Sequence, residues 1–375
     1  MPTVDFMFFD AGGGHRAAAT ALKAVIDSQN RGWHVRLVNL QELLDQLDVF
    51  RKVTGIRLED IYNLLLAKDW TLGSAQMLVF MHAIIRMYHR PTVRLLERHW
   101  REAKPDLVVS FVPNFNRAMF QSLTDALPGV PYVTIITDFA DYPPHFWIEP
   151  QDQYLICGTD RAVDQARRSG YRADRMFRVS GMVLRPTFYE AVTIDRRAAR
   201  AELGLDPERP TGLVLFGGQG SSVMLEIARR LNDAASPAQL ILICGKNDKL
   251  AQKLKAMPAR IPMHVEGFTT AIPRFMATSD FFIGKPGPGS ISEALAMKLP
   301  VIIQRSAWTL PQERYNAEWV LEKSVGIVLP GFRDIDRAVR ELLEPDRFAT
   351  VRSAVENIEN RAVFEIPDIL AGLLR

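Results

Sequence analysis

The chain contains 375 residues and carries a formal net charge of +3, with 47% hydrophobic and 24% charged residues. Because a domain typically spans about 100–200 residues, this length predicts two domains. The balance of apolar and charged residues is that of a globular protein, so disordered, low-complexity and collagen-like chains are excluded. A net charge this small gives no reason to expect a nucleic-acid partner.

Cysteine usage and hydropathy indicate the compartment. Cys157 and Cys244 each follow an apolar run and are too few for a disulfide framework, so we expect buried, reduced thiols. The longest uncharged stretch, residues 70–85, is shorter than the about 20 residues that a spanning helix needs. The N-terminus does not resemble a signal peptide. We therefore expect a cytoplasmic protein, peripherally associated at most with the inner face of the cell membrane.

Strand-like apolar runs alternate with helix-like runs along the whole chain, which predicts parallel sheets with crossover helices. In the first half we predict a helix over residues 17–26 and strands over residues 4–9, 34–40, 107–111, 132–136 and 154–157. The pattern then restarts, with a strand over residues 212–216, a glycine turn over residues 217–220 and a helix over residues 223–231.

The restart is also a weak internal repeat. A strand, a glycine turn and a helix occur in the same order in FMFFDAGGGHRAAATAL and in LVLFGGQGSSVMLEIARRL. Two Rossmann-like domains would produce this correspondence, and so would chance similarity between two α/β halves. We place the domains at residues 1–190 and 191–375, and leave open whether the last helix packs back on the first domain.

Three glycine-rich turns directly follow predicted strands. They are Gly12, Gly13 and Gly14; Gly217, Gly218, Gln219 and Gly220; and the segment GKPGPGS at residues 284–290. Such a turn between a strand and a helix collects main-chain N–H groups and the positive end of a helix dipole at one point, which favours phosphate. The three turns together predict a phosphate-containing ligand, although tight packing of a helix on a strand explains many single glycine turns.

The residues around these turns disfavour two classes of phosphate-binding protein. A dinucleotide site requires an acidic residue at the end of the second strand, where Asn39 stands and no carboxylate occurs before Glu42. No Gly-Lys-Ser/Thr sequence follows any of the turns, so a P-loop NTPase is excluded.

The third turn leads into a Ser-x-x-Glu pattern that has two interpretations. As a capping box, Ser290 would begin the helix and Glu293 would reach back to its main-chain N–H. As a binding site, the carboxylate of Glu293 on the first helical turn would meet ribose hydroxyls while the end of the helix faces phosphate.

Four segments together resemble a known family: GGGHRAAA, FGGQGSS, GFTTAIPRFMATSDFFIGKPGPGSISEALAMKLPVII and PQERYNAEWV. They are similar to glycosyltransferase family 28, above all to its branch of monogalactosyldiacylglycerol synthases and bacterial diacylglycerol glucosyltransferases. This resemblance implies a GT-B fold, in which two Rossmann-like domains flank an interdomain active-site cleft. It further implies a UDP-sugar donor on the C-terminal domain and the acceptor on the N-terminal domain.

The resemblance also assigns roles to single positions. It implies a first-loop base at His15 beside the acceptor-side glycines, Gly12 to Gly14. It implies donor contacts at Gly217, Gly218, Gln219, Gly220, Ser221, Gly267, Phe268, Gly287, Gly289, Ser290, Glu293, Gln312, Glu313 and Asn316. One departure concerns the family's histidine a few residues after Thr-Asp: here His145 is displaced, which puts acceptor handling at that loop in doubt.

Inverting glycosyl transfer needs a base at the acceptor hydroxyl and stabilisation of the departing diphosphate. His15, at a predicted helix start, and Asp138, at a predicted strand end, are the two candidate bases. The Asp-x-Asp triplet Asp334–Asp336 could hold a metal ion, but aspartate is favoured at helix starts and we predict capping there. We therefore expect no metal and no cofactor.

An apolar segment over residues 70–85 precedes arginines spaced by four, at Arg86, Arg90, Arg94 and Arg98. This arrangement suits peripheral contact with an anionic membrane, or a core helix with a solvated face. We conclude that the sequence predicts transfer of a hexose from a UDP-sugar to a membrane lipid such as diacylglycerol. A UDP-sugar 2-epimerase of the same architecture and a non-catalytic sugar-nucleotide-binding protein remain the alternatives.

Overall fold

The structure is a computed structural model, and it describes residues 1–10, 14–45, 85–142, 145–190, 192–307 and 309–374. The chain divides into two compact units. The first unit comprises Met1–Pro186, Leu310–Gln312 and Asn360–Arg375, and the second comprises Thr187–Thr309 and Glu313–Glu359. Each unit contains one parallel six-stranded sheet. The prediction of an α/β protein with two Rossmann-like domains is confirmed.

The first unit has the sheet order β2-β1-β3-β4-β5-β6. Its elements are β1 (Thr3–Phe8), α1 (Gly14–Ser28), β2 (His34–Asn39), α2 (Leu40–Leu44), α3 (His89–Ala103), β3 (Leu107–Ser110), α4 (Asn116–Ala126), β4 (Tyr132–Ile135), β5 (Tyr154–Cys157), α5 (Asp160–Arg168) and β6 (Met176–Arg178). Strands β3 and β4 are buried along their whole length, as expected for a parallel sheet covered on both faces. All five strands predicted in this half are present.

The second unit has the sheet order β12-β11-β10-β7-β8-β9. Its elements are α6 (Arg196–Glu202), β7 (Thr211–Leu215), α7 (Val223–Asp233), β8 (Gln239–Ile243), α8 (Asp248–Lys255), β9 (Met263–Glu266), α9 (Ile272–Thr278), β10 (Phe281–Gly284), α10 (Pro288–Ala296), β11 (Val301–Gln304), α11 (Arg314–Glu322), β12 (Gly326–Leu329), α12 (Ile335–Leu343) and α13 (Pro345–Glu356). The predicted strand, glycine turn and helix at residues 212–231 are confirmed. Both cysteines are buried thiols, as predicted.

The last helix, α14 (Ala362–Leu373), belongs to the first unit and packs against α1. Glu365 accepts hydrogen bonds from the main-chain N–H and the hydroxyl of Ser180, at 2.8 and 2.5 Å. Arg31 and Asp368 form an ion pair at 2.5 Å. These contacts attach the end of the chain to the unit that contains its beginning.

The strand orders locate the binding edges. In open parallel sheets, ligands bind beyond the carboxyl ends of the strands, where the direction of winding reverses. In the first unit this switch lies between β1 and β3, and in the second unit it lies between β7 and β10. The carboxyl ends of β1, β7 and β10, which the glycine-rich turns follow in the sequence, therefore stand at the two switch points.

Candidate functional site

In the first unit, three side chains that follow β1 and β4 in the sequence come together around one indole ring. His15 is the second residue of α1, and its Nδ1 lies 3.3 Å from the hydroxyl of Thr137. The ring centroids of His15 and Trp147 are 5.7 Å apart. The indole Nε1–H of Trp147 donates to Oδ2 of Asp138 at 2.8 Å. The two candidate bases, His15 and Asp138, thus flank Trp147.

The protonation state of His15, which is half-buried, is determined by its partial removal from water. Removing the imidazole from water disfavours its charged form and lowers its pKa from 6.5 to about 4. His15 is therefore neutral near pH 7 and has a ring nitrogen that can accept a proton. Asp138 is buried, and one of its oxygens is taken by the indole N–H.

His145 lies apart from this cluster. Its Nδ1 is 3.2 Å from the carbonyl oxygen of Ile148 and 3.9 Å from the carboxylate of Glu149. Its main chain has φ of +68°, a left-handed conformation that is uncommon for residues other than glycine. The side chain of His145 therefore contacts the main chain of its own loop, at Ile148. Of the acceptor-side glycines, Gly14 begins α1, whereas Gly12 and Gly13 lie outside the described residues.

In the second unit, the loops after β7 and β8 contact each other through main-chain atoms. Gly217 and Gly220 have positive φ, and the N–H of Gly220 donates to the carbonyl of Gly217 at 3.2 Å, so the predicted tight turn is confirmed. Lys246 N–H donates to the carbonyl of Gly218 at 2.9 Å. A Cβ on Gly245 would come within 2.2 Å of that carbonyl oxygen, which explains the glycine. Gln219 is exposed in this turn, and Ser221 is buried behind it.

The loop after β9 adds an exposed aromatic ring. Phe268 is 62% exposed, and Nζ of Lys246 lies 5.5 Å from its ring centroid. The preceding Gly267 donates its N–H to the carboxylate of Glu266 at 2.8 Å. Lys246 is a residue that the sequence analysis did not select. Its signal is the segment LILICGKND, in which a lysine directly follows an apolar run that ends in a cysteine and a glycine.

Of the two interpretations of the Ser-x-x-Glu pattern at the third turn, the capping box is contradicted by the start of the helix. Helix α10 begins at Pro288 with Gly287 as N-cap, and no side chain caps it. Proline fixes φ near the helical value and has no N–H to satisfy, so it starts a helix readily. Ser290 is therefore the third helical residue, after Gly289, and Glu293 lies in the second turn instead of the first. Glu293 is half-buried there and has an interaction partner in the structure.

Two of the three predicted sugar-contacting residues lie at the loop between β10 and α10. Buried Glu313 accepts a hydrogen bond from Lys285 Nζ at 3.2 Å. Asn316, fully buried, donates to the carbonyl of Pro286 at 2.8 Å. Its Oδ1 has no hydrogen-bond partner among the described residues. Gln312 falls into the first unit. Lys285 was not selected from the sequence either.

The Asp334–Asp336 triplet is engaged by arginines. Asp334 is the N-cap residue of α12, but its side chain makes no capping hydrogen bond. It lies 3.7 Å from Arg337, and Asp336 accepts from Arg340 at 2.8 Å. Within the described ranges, no cluster of three or more His, Cys, Asp or Glu side chains could hold a metal ion.

The four arginines that are spaced by four residues in the sequence are divided between two segments. Helix α3 starts afresh at His89 and contains Arg90, Arg94 and Arg98, whereas Arg86 precedes it. All four arginines are exposed, and the opposite face of α3 is buried through Val93, Leu96 and Trp100, among others. The apolar segment before them, up to residue 84, lies outside the described residues. Among the helices that the structure describes, none is long and apolar enough to cross a bilayer.

Comparison with known proteins assigns both units. Residues 15–183 match the family model of monogalactosyldiacylglycerol (MGDG) synthase, and residues 213–341 match the glycosyltransferase family 28 C-terminal domain. The chain is 28% identical over 396 aligned residues to the chloroplastic MGDG synthase of Spinacia oleracea, covering 98% of this chain and 71% of that protein.

Solved structures agree on the fold. Acinetobacter baumannii MurG is similar with a TM-score of 0.64 at 12% identity, over 99% of this chain and 100% of that one. A structure described as a UDP-N-acetylglucosamine 2-epimerase from Listeria monocytogenes is similar with a TM-score of 0.58 at 14% identity, over 96% and 92%. The fold is therefore GT-B, and by itself it does not separate transferases from epimerases.

The sequence matches make that separation. Both halves of the chain match glycosyltransferase models, one in each unit, so the protein is a GT-B glycosyltransferase. The resemblance to family 28, on the branch of the MGDG synthases, is confirmed over nearly the whole chain.

Proposed function

We propose that this enzyme transfers a hexose from a UDP-sugar to a membrane lipid such as diacylglycerol, with inversion at the anomeric carbon. The observation that carries the proposal is the MGDG synthase match over residues 15–183, because this stretch contains His15, Thr137, Asp138 and Trp147. In the proposal, the first unit binds the acceptor and the second unit binds the donor.

The donor site is proposed at the carboxyl ends of β7, β8, β9 and β10. The glycine turn after β7 and the start of α10 offer main-chain N–H groups to the diphosphate, and Lys246 adds a positive charge. The exposed ring of Phe268 offers a face to the uracil of the UDP-sugar. Glu293 would accept hydrogen bonds from the ribose.

The sugar would be held by the predicted Gln312, Glu313 and Asn316. Support for this comes from the buried carboxylate of Glu313, which accepts a hydrogen bond from Nζ of Lys285. Asn316 contributes by holding the loop at Pro286, and its Oδ1, which has no partner among the residues that the structure describes, is available to a hydroxyl.

For the chemical step we propose His15 as the base. The neutral imidazole takes the proton of the acceptor hydroxyl while the hydroxyl oxygen attacks the anomeric carbon. The bond between that carbon and the diphosphate oxygen breaks, and UDP leaves with the bonding electron pair. Attack from the face opposite the leaving group inverts the anomeric configuration. Asp138 is the second candidate, and its hydrogen bond to Trp147 also allows it to act by orienting the site.

We further propose that no metal ion is needed, because helix ends, main-chain N–H groups and lysines would carry the charge of the departing diphosphate. Attachment to an anionic membrane surface is proposed through the exposed arginines at and before α3, with the enzyme peripheral on the inner face of the cell membrane.

The test is a panel of UDP-sugars incubated with and without diacylglycerol vesicles, with UDP release and product masses measured. A hexosyl-diacylglycerol formed only when vesicles are present is the expected result. UDP release or sugar isomerisation without lipid would instead indicate an epimerase. UDP binding without turnover on any lipid would indicate a binding protein, and either result would overturn the proposal.

A further inference from the structure

The loop that follows β4 contains a buried carboxylate that neither the sequence motifs nor the proposed mechanism uses. Asp141 is only 7% exposed. One of its oxygens accepts from the main-chain N–H of Trp147 at 2.6 Å, and the other accepts from the main-chain N–H of His145 at 3.2 Å. A single side chain thus holds two main-chain groups further along the same loop.

Asp141 is itself held in place from a neighbouring helix. The side-chain amide of Gln165, on α5, accepts from the N–H of Asp141 at 2.9 Å and donates to its carbonyl at 2.8 Å. Both main-chain groups of Asp141 are therefore paired with a residue that belongs to a regular helix. The carboxylate consequently projects from a fixed point, which is a requirement for positioning other groups.

Trp147 is the group that this carboxylate positions. Its side chain is fully buried and its polar groups are all engaged: the N–H by Asp141, the carbonyl by Asn116 at 3.2 Å, and the indole N–H by Asp138 at 2.8 Å. Asn116 in turn accepts hydrogen bonds from three hydroxyls, on Ser110, Tyr132 and Thr134. The indole thus connects a rigid polar network to the two candidate bases.

We propose that Asp141 is a positioning residue of the transferase: it fixes Trp147, and Trp147 fixes Asp138 and packs beside His15. The proposal rests on the proposed function, because it assigns Asp141 a task in that reaction. The turn it imposes places His145 in a left-handed conformation, which costs free energy that the two hydrogen bonds to the carboxylate offset.

The charge of Asp141 makes this positioning sensitive to pH. Burial raises its pKa from 3.8 to about 6, against the opposing effects of the hydrogen bonds from Trp147 and His145. The titratable group that acts on it is His145, whose positive charge would lower the pKa of Asp141. Asp141 in turn helps to raise the pKa of Tyr171, which follows α5, and Glu149 faces both His145 and Tyr171. Below about pH 6 the carboxyl is protonated, and its hold on Trp147 weakens.

The experiment compares Asp141→Asn with Trp147→Phe, the double variant, and Asp164→Asn as control. Asp164 is an exposed carboxylate on α5 that pairs with Arg167, so its loss leaves the loop intact. Because small displacements of reacting groups cost about 10²-fold in rate, we expect each single variant to lower kcat by about 10- to 100-fold. We expect unchanged UDP affinity, and a double variant no slower than the slower single variant, because the two residues act in series.

Two further readouts separate positioning from a purely structural role. The acid limb of the kcat profile should have its midpoint at about pH 6 in the unmodified enzyme. In Asp141→Asn this limb should be absent, which leaves the limb that protonation of His15 sets near pH 4. In an ¹⁵N spectrum, the indole N–H resonance of Trp147, identified by its loss in Trp147→Phe, should shift in Asp141→Asn and stay in place in Asp164→Asn. Should Asp141→Asn fail to fold, Gln165→Met tests the same chain of contacts with a smaller effect in the same direction.

Unchanged kcat and acid limb in Asp141→Asn, with only a lower melting temperature, would overturn the proposal, even if the resonance shifted. If the unmodified enzyme transfers no sugar to any lipid, the proposed function fails instead. The indole resonance then still decides whether Asp141 positions Trp147.

Discussion

Replacing His15 by alanine tests the proposed base directly. A positioned general base contributes about 10²–10⁴-fold, so we expect kcat for lipid glycosylation to fall by that factor. UDP affinity should not change, because the proposed donor contacts with the nucleotide come from the second unit. The structure supplies a matched control in Thr137→Val, which removes only the hydroxyl 3.3 Å from Nδ1 of His15. We expect this variant to lose less than about tenfold, because a single neutral hydrogen bond contributes about 0.5–1.5 kcal/mol.

The burial of His15 adds a stability measurement that does not depend on activity. Its pKa is about 4 in the folded protein and 6.5 when exposed, so the unfolded chain binds more protons between these values. The folded state therefore loses stability as the pH falls from 6.5 to 4. The pKa difference corresponds to about 3 kcal/mol. In denaturant unfolding, the free energy of unfolding of His15→Gln should therefore fall less between pH 6.5 and 4 than that of the unmodified protein. Comparing the two proteins cancels the contributions of the titratable groups that they share.

The assay is steady-state transfer from UDP-hexose to diacylglycerol vesicles, with UDP affinity measured by calorimetry. A loss below tenfold in His15→Ala would refute the assignment of His15 as base. A loss of 10²-fold or more in Asp138→Asn would then identify Asp138. Equal slopes of stability against pH for the unmodified protein and His15→Gln would show that the half-buried imidazole is not shielded from water enough to lower its pKa.

Three further predictions concern the donor, the metal and the membrane. Glu293→Gln should weaken UDP binding about tenfold, because hydrogen bonds to a charged group contribute about 1.5–3 kcal/mol. Unchanged UDP affinity in calorimetry would exclude the ribose contact. Turnover should persist in EDTA. If EDTA abolishes turnover and magnesium or manganese restores it, a metal ion is required, and Asp334 and Asp336 become the candidate ligands. Binding to anionic liposomes should fall with salt, since screening limits the reach of charge to about 10 Å at 0.1 M. Replacing the exposed arginines by glutamine should also lower liposome binding without loss of UDP affinity; these are Arg86, Arg90, Arg94 and Arg98. If co-sedimentation with anionic liposomes at low salt does not change, these arginines form only a solvated helix face.

Much of the fold follows from local patterns in the sequence. A buried parallel strand is a short continuous apolar run, and a glycine turn interrupts it where the backbone needs positive φ, as at Gly217 and Gly220. These signals depend on neighbouring residues alone. They therefore sufficed to predict five of the six strands of the first unit and the strand, turn and helix at residues 212–231.

The contacts within the sites were decided by tertiary structure. Pro288, two residues before Ser290, took the start of α10 and moved Glu293 out of the first turn, a competition that the Ser-x-x-Glu spacing does not reveal. Lys246 meets Phe268 only because β8 and β9 are neighbours in the sheet. Asp138 and His15 meet at Trp147 because strands β1 and β4, far apart in sequence, end at the same edge of one parallel sheet. Local periodicity specifies which residues form a strand, but the order of the strands determines which loops meet at their ends.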